Sequence, residues 1–161
     1  MATLDQLVKM GVLVPVRVRL QRHEYEDRRI FAFPGFDAWL RGPVMTATQF
    51  YADDISPRQQ AFAIIKDFIA GKPFPGPRMF KRMRPGSDDV WEMRTADLRF
   101  FGWFAAKDCF VAVAGDFFET LKEDKSRYEA HRLDVLAKRI AIDLDEPKYL
   151  KGAKENDVVS G

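Results

Sequence analysis

The chain has 161 residues, 47% hydrophobic and 13% aromatic, enough for one domain with a sizeable core and too apolar for a disordered chain. A formal net charge of +2 excludes a broadly basic surface, so any anion-binding face must be a local patch. The single cysteine, Cys109 in the apolar run CFVAVAG, leaves neither a disulfide framework nor a cysteine-based zinc site.

The opening MATLDQLVKMGVLV lacks a charged region followed by a long apolar stretch, so no signal peptide is expected. No apolar run approaches the roughly 18 residues needed to span a bilayer. The expected setting is a soluble, cytoplasmic protein with no membrane partner. Thr3 and Gln6 have capping-box spacing, and Leu4, Leu7 and Val8 share a face, which predicts a short helix over 3–10. VPVRVRLQ alternates Val14, Val16, Val18 and Leu20 with arginines, the pattern of a half-buried strand, and RIFAF at 29–33 is its return strand. In PGFDAWLRGP, Phe36, Trp39 and Leu40 make one helical turn between proline and glycine breakers. Residues 1–45 therefore read as an N-terminal helix and β-hairpin extension within the same domain as residues 46–145.

SPRQQAFAIIKDFIAG carries the clearest helix signal. Ser56 suits the N-cap, Pro57 the first helical position and Gly71 the residue past the end, with Phe62, Ile65, Phe68 and Ile69 forming its stripe. KPFPGP is an extended linker into the basic strand RMFKRMR. PGSDD, TAD and AAKD then separate the strands VWEMR, LRFFGWF and CFVAVAG. Ala130, Leu133, Leu136, Ala137 and Ile140 mark a second helix over 123–141, and the tail 146–161 lacks periodicity and reads as loose. The fold class is α+β: an antiparallel meander, a long helix on one face and a closing C-terminal helix, within a domain at 46–145. No repeat, GxGxxG, P-loop or His/Cys metal spacing occurs, so no cofactor or metal is expected.

VWEMRTADLRFFGWF raises the functional question, because Arg94 and Arg99 sit in the most apolar hairpin of the chain. With Ala96 and Asp97 at the tip, Arg94 lies opposite Arg99. Trp91, Met93, Leu98 and Phe100 then form a core face, and Glu92, Arg94, Arg99, Phe101 and Trp103 the other. Pairing Met83 with Trp91 across PGSDD adds Arg82 and Arg84 to the arginine face, with Arg78 at its edge. Across the next turn Trp103 meets Ala112 and Phe101 meets Ala114, which leaves both rings partly accessible. Opposed like charges cost a few tenths to about 1 kcal/mol, so such a cluster needs an acidic neighbour or a bound polyanion. Arginine forks suit phosphates, and flanking aromatics suit unpaired bases. The competing reading is a solvated sheet face in which Glu92 holds an ion-pair network.

The stretch FIAGKPFPGPRMFKRMRPGSDDVWEMRTADLRFFGWFAAKDCFVAVAGDF resembles the RelE/ParE superfamily of toxin–antitoxin toxins, in particular its phage-derived, HigB-like branch. FKRMR stands for the family's basic strand, VWEMR for its LWELR and LRFF for the next strand, over roughly residues 57–122. The resemblance implies the toxin component of a bacterial type II system, with a cognate antitoxin as partner. It also implies mRNA, in many members ribosome-bound, as the substrate of an endoribonuclease. Arg94 and Arg99 match the two family arginines; Lys81, Arg82 and Arg84 match the basic strand less closely. Where HigB-like members continue with a basic motif this chain reads AGDFFETLK, so Lys122, Tyr128 and His131 are the remaining candidates for proton transfer. The nucleic-acid-binding set is Arg78, Arg82, Arg84, Phe101 and Trp103. Asp116 and Glu119 in that motif favour the alternative, a catalytically inactive RelE-like module that binds an antitoxin, gyrase or a phage assembly. A third reading is an unrelated α+β domain.

Overall fold

Ser56 starts helix α4 (Pro57–Ile69) by a reciprocal cap: its hydroxyl accepts from Gln59 N and the Gln59 side chain accepts from Ser56 N. The helix stops where Gly71 takes a φ of +75°. A side chain there would also meet Asp27, only 2.4 Å from the carboxylate oxygen. The same reciprocal cap at Thr3 and Gln6 begins α1 (Leu4–Lys9). In this computed structural model, which describes all 161 residues, α4 buries Ala61, Ile64, Ile65, Phe68 and Ile69. Phe62, assigned to the same stripe by its spacing, points outward.

The strands β1 (Val14–Val16), β2 (Arg29–Ala32), β3 (Phe80–Arg82), β4 (Trp91–Arg94), β5 (Leu98–Ala106) and β6 (Cys109–Phe117) form one six-stranded sheet. Their order is β1-β2-β6-β5-β4-β3. The last four make the expected antiparallel meander, and β1 and β2 pair as the expected antiparallel hairpin. β2 then adds parallel to β6, so the sheet is mixed and the first 45 residues belong to it. The predicted strand over 14–21 ends at Val16; Val18 and Leu20 lie beyond it but still touch the core.

The sheet is apolar on both sides. On one side α4, α2 (Pro34–Arg41) and α3 (Pro43–Thr46) cover Trp91, Met93, Leu98 and Phe100, the face the alternation marks as core. On the other, α1 and the closing helix α6 (Ser126–Ala141) cover Phe101, Trp103, Val111 and Val113. The helix α5 (Phe118–Glu123) links β6 to α6. Phe101 and Trp103 are therefore fully buried rather than partly accessible: Phe101 lies under His131 at 4.7 Å, and the Trp103 indole donates to Lys148 O. Phe101 faces Ala114 as expected, but the register shift after Phe101 sets Trp103 opposite Val111 rather than Ala112, and a helix layer covers both rings. The closing helix also turns differently from its hydrophobic pattern. Val135 and Arg139 are buried, whereas Leu133 and Ile140 face outward.

Residues 146–161 are anchored rather than loose. Fully buried Arg28 donates to Phe68 O, Lys72 O and Ser160 O, which joins the end of α4 to the tail. Arg139 donates to Asp88 O and Asp89 O, and Asp89 accepts from Gly152 N. Ala153, Val158 and Val159 close the first core, the last two at the helix α7 (Glu155–Val158). Backbone groups that sequence leaves without periodic partners find them in other elements, and that is why composition alone does not reveal the order.

Half-buried Cys109 at the head of β6 has its thiol pushed up to about 11 by burial, with partial relief from Arg29. Alkylation with iodoacetamide at pH 8 should therefore run about 100-fold slower than for an unperturbed thiol. Labelling of the native protein at the rate of its unfolded chain would contradict this.

Candidate functional site

The β4–β5 turn fixes the centre of the site. Arg94 pairs with Arg99 and Met93 with Phe100, as the hairpin tip implies. The β3–β4 register differs from expectation by one residue: Phe80 pairs with Met93, Lys81 with Glu92 and Arg82 with Trp91. The PGSDD segment folds into a 3-10 turn at Gly86–Asp88 followed by Asp89 with φ 52°, and Met83 N bonds Val90 O directly. A one-residue slip exchanges the faces of a strand. Lys81 therefore joins the Glu92/Arg94/Arg99 face, while Arg82 turns to the other, 5.9 Å over the Trp91 ring, and donates to Ala153 O. Arg84 is exposed on the turn.

Two adjacent cavities result. The larger, about 550 Å³, lies between α4 and the β4–β5 turn, with Ile55, Ile64 and Met79 among its apolar walls and Arg78, Arg94 and Arg99 as its cations. The second, about 290 Å³, is lined by Lys81, Arg82, Met83, Arg84, Glu92, Arg94 and Tyr128. Arg94 belongs to both. Its Nη1 donates to Pro77 O at 3.3 Å, and its Nε lies 3.7 Å from Glu92 Oε1.

Arg99 and Glu92 occupy the buried side of this ridge. Arg99 is 4% exposed, donates to Thr95 O and Leu98 O, and lies 4.0 Å over the Phe118 ring. Its Nε has no partner, nor has Glu92 Oε2. Burial pushes the Glu92 carboxyl above its ordinary value, against the opposing pull of Arg99, Arg94 and Lys81. Burial and the Glu92 charge together push the Tyr128 hydroxyl up, while Arg99 acts in the other direction.

A clamp holds the rim of the larger cavity. Asp97 accepts from the backbone N–H groups of Phe50, Tyr51 and Ala52 and from Gln60 Nε2, while Gln60 Oε1 accepts from Asp97 N and the Thr95 hydroxyl. One carboxylate thereby joins α4, the 50–52 loop and the β4–β5 turn. Gln60 was legible as a polar residue on the buried stripe of α4; its partner was not.

The remaining candidates lie apart from the cavities. His131 and Arg127 bind Asp116 at 2.7 Å each, with Asp116 opposite Arg99 in register. Burial disfavours the Asp116 charge, but the bonds from His131, Arg127 and Phe117 N outweigh it and hold the carboxyl below its ordinary value. The acid in AGDFFETLK is thus a tether for α6. Lys122 is exposed beside Tyr51 and Phe118, at 5.5 and 5.7 Å from their rings. Of the residues marked by sequence, Arg78, Lys81, Arg84, Arg94, Arg99 and Tyr128 come together, with Arg82 at the rim. Lys122 and His131 do not, and Phe101 and Trp103 are core. Glu92, weighed in sequence only as a counter-ion, sits at the cavity floor.

No group of three His, Cys, Asp or Glu residues is placed to hold a metal ion, and no helix is long and apolar enough to cross a membrane. No family model matches the chain, and no curated protein or solved structure matches it either.

Proposed function

We propose that the protein is the toxin component of a bacterial type II toxin–antitoxin system, RelE-like, and that it cleaves mRNA as an endoribonuclease. The observation that carries the reading is the shared arginine: Arg94 fronts two neighbouring cavities, one holding Arg78 and Arg99, the other Lys81 and Arg84. Adjacent cationic sites joined by one guanidinium suit successive phosphates of a strand, and guanidinium forks bind phosphate oxygens in pairs. With Phe101 and Trp103 in the core, recognition rests on the backbone of the nucleic acid rather than on stacked bases. The same cations stabilise the charge that develops as a ribose 2′-hydroxyl attacks its phosphate. The partner that restrains it is a cognate antitoxin.

Arg94→Ala is expected to slow cleavage of ribosome-bound mRNA about 100-fold, the effect of losing one charge-stabilising donor. Its melting temperature should change little, because the side chain is partly exposed and its ion pair with Glu92 is long. Wild-type protein that neither binds unstructured RNA at low salt nor cleaves mRNA on ribosomes sinks the proposal. A second reading, a non-catalytic module acting through protein contacts, is favoured by two exposed apolar side chains: Ile55, 53% exposed on the wall of the larger cavity, and Phe50, 60% exposed on a smaller cavity beside α5. Growth inhibition on expression, relieved by the gene product of the adjacent reading frame, would support a toxin under either chemistry.

A further inference from the structure

We propose that the larger cavity binds a small organic anion with an apolar body, and that the bound anion withholds Arg94 from nucleic acid. The first half stands apart from the RNA-cleavage reading above; the second rests on it. At about 550 Å³ the cavity lies in the range that holds a small-molecule ligand and exceeds what a phosphate group fills. The phosphates of a nucleic acid would use its arginines and leave its walls of Ile55, Ala63, Ile64 and Met79 without a role.

The apolar side is built by α4 and the residue that leads into it. Ile55 is 53% exposed, a large aliphatic side chain that folding leaves in water. Its backbone is nevertheless fixed: Ile55 O accepts from Gln60 Nε2 at 3.0 Å, and the same nitrogen donates to Asp97 at 2.7 Å. Gln60 and Asp97 are both buried, so this clamp sets the wall before a ligand arrives and lowers the ordering cost of binding.

The cationic side is brought together by Arg94. Its backbone N–H donates to Met79 O and its side chain to Pro77 O, which places Arg78 beside it. Arg78 is exposed and Arg94 half-buried, so both guanidinium groups keep donors open to the cavity. Arg99, fully enclosed, stands behind them as charge rather than as a donor, because its Nη1 is taken by Thr95 O and Leu98 O. Burial and Arg94 both oppose that charge, and Glu92 offsets them only in part. An anion at the cavity relieves the repulsion between the paired arginines. Asp67, the one carboxylate on the walls, lies 3.8 Å from Lys72. Three arginines against one engaged acid, opposite an aliphatic wall, suit an oxyanion head on a hydrocarbon body.

The probes are octyl phosphate and octanoate below their micelle concentrations, with inorganic phosphate, octanol and octyltrimethylammonium as controls. Binding is read by titration calorimetry without RNA. With half of its chain buried, octyl phosphate should bind about 100-fold more tightly than inorganic phosphate. The tighter of octyl phosphate and octanoate identifies the head. Arg78→Ala and Arg94→Ala should each weaken binding about 10-fold. Ala63→Phe places a ring in the cavity from an exposed helix position and should abolish it. Inorganic phosphate binding as tightly as octyl phosphate overturns the site, as does octanol or octyltrimethylammonium binding as tightly. Undiminished binding in Ala63→Phe, or no binding of either probe to wild type, overturns it too. Should Ala63→Phe fail to fold, Ile55→Ser decides: it should narrow the gap between octyl and inorganic phosphate, and an unchanged gap also overturns the site.

For the second half, octyl phosphate at saturation should weaken binding of a short unstructured 2′-O-methylated RNA about 10-fold, whereas inorganic phosphate at that concentration should not. RNA affinity indifferent to octyl phosphate overturns the competition and leaves the site. Protein that binds octyl phosphate but no RNA removes the RNA reading and the competition with it, and again leaves the site.

Discussion

Gly102→Ala should destabilise the domain by about 4 kcal/mol or more, enough to leave much of the protein unfolded. A Cβ at this position would stand 1.9 Å from Val111 O and 2.9 Å from the Phe110 ring. The first of these is backbone of the adjacent strand, which cannot step aside without breaking the β5–β6 ladder. The close approach occurs where the pairing shifts register between Phe101 and Gly102, in the middle of the sheet that carries Arg94, Arg99 and Glu92. Gly35→Ala is the control: its added carbon meets nothing within 4 Å, and in α2 it should be neutral or stabilise by up to about 1 kcal/mol. Denaturant midpoints of the two variants test the contrast. Similar midpoints would show that the strand relaxes around the added methyl.

Asp97→Ala should cost about 3 kcal/mol, because three backbone N–H groups and the Gln60 amide lose their common acceptor. The loss falls on the rim of the larger cavity, so weaker RNA binding should accompany the lower stability. Asp97→Asn keeps one acceptor oxygen and should fall between the two. Burial opposes the Asp97 charge, but the bonds from Gln60, Tyr51, Phe50 and Ala52 outweigh it and hold the carboxyl below its ordinary value. A depressed carboxyl contributes stability above its unfolded pKa, and that contribution disappears as pH falls through the folded value. Stability should therefore drop on acidification from about pH 4 downward, with Asp116 contributing in the same sense. The drop should be shallower in Asp97→Asn; an identical acid profile in wild type and variant would remove Asp97 as its source.

The elements legible in sequence were those whose signal is local. Both reciprocal caps, the proline at the first position of α4 and the stop at Gly71 depend on residues three or four apart, or on one backbone angle. The meander and the Arg94–Arg99 pair arise from strict alternation and a tight turn. The β3–β4 register was not legible, because PGSDD folds into a 3-10 turn whose geometry depends on Asp89, itself held by Gly152 from the far end of the chain. That one-residue difference moved Lys81 onto the face of Glu92 and Arg94 and turned Arg82 to the opposite face, at the rim of the second cavity.

Composition and pattern thus determined by themselves that this is an α+β chain with a capped helix, an antiparallel meander and two arginines facing each other across a turn. Which face those arginines share with what was decided by tertiary structure. The small Ala114 opposite Phe101 admits a second helix layer as readily as a ligand, and Arg139, reaching Asp88 O and Asp89 O, holds α6 with Leu133 and Ile140 facing outward. Once that layer covers the sheet, the part left open is the margin around Arg94, with Glu92 beneath it. Hydrophobic burial specifies how much surface must be covered, whereas hydrogen bonds between distant elements select which surface stays uncovered.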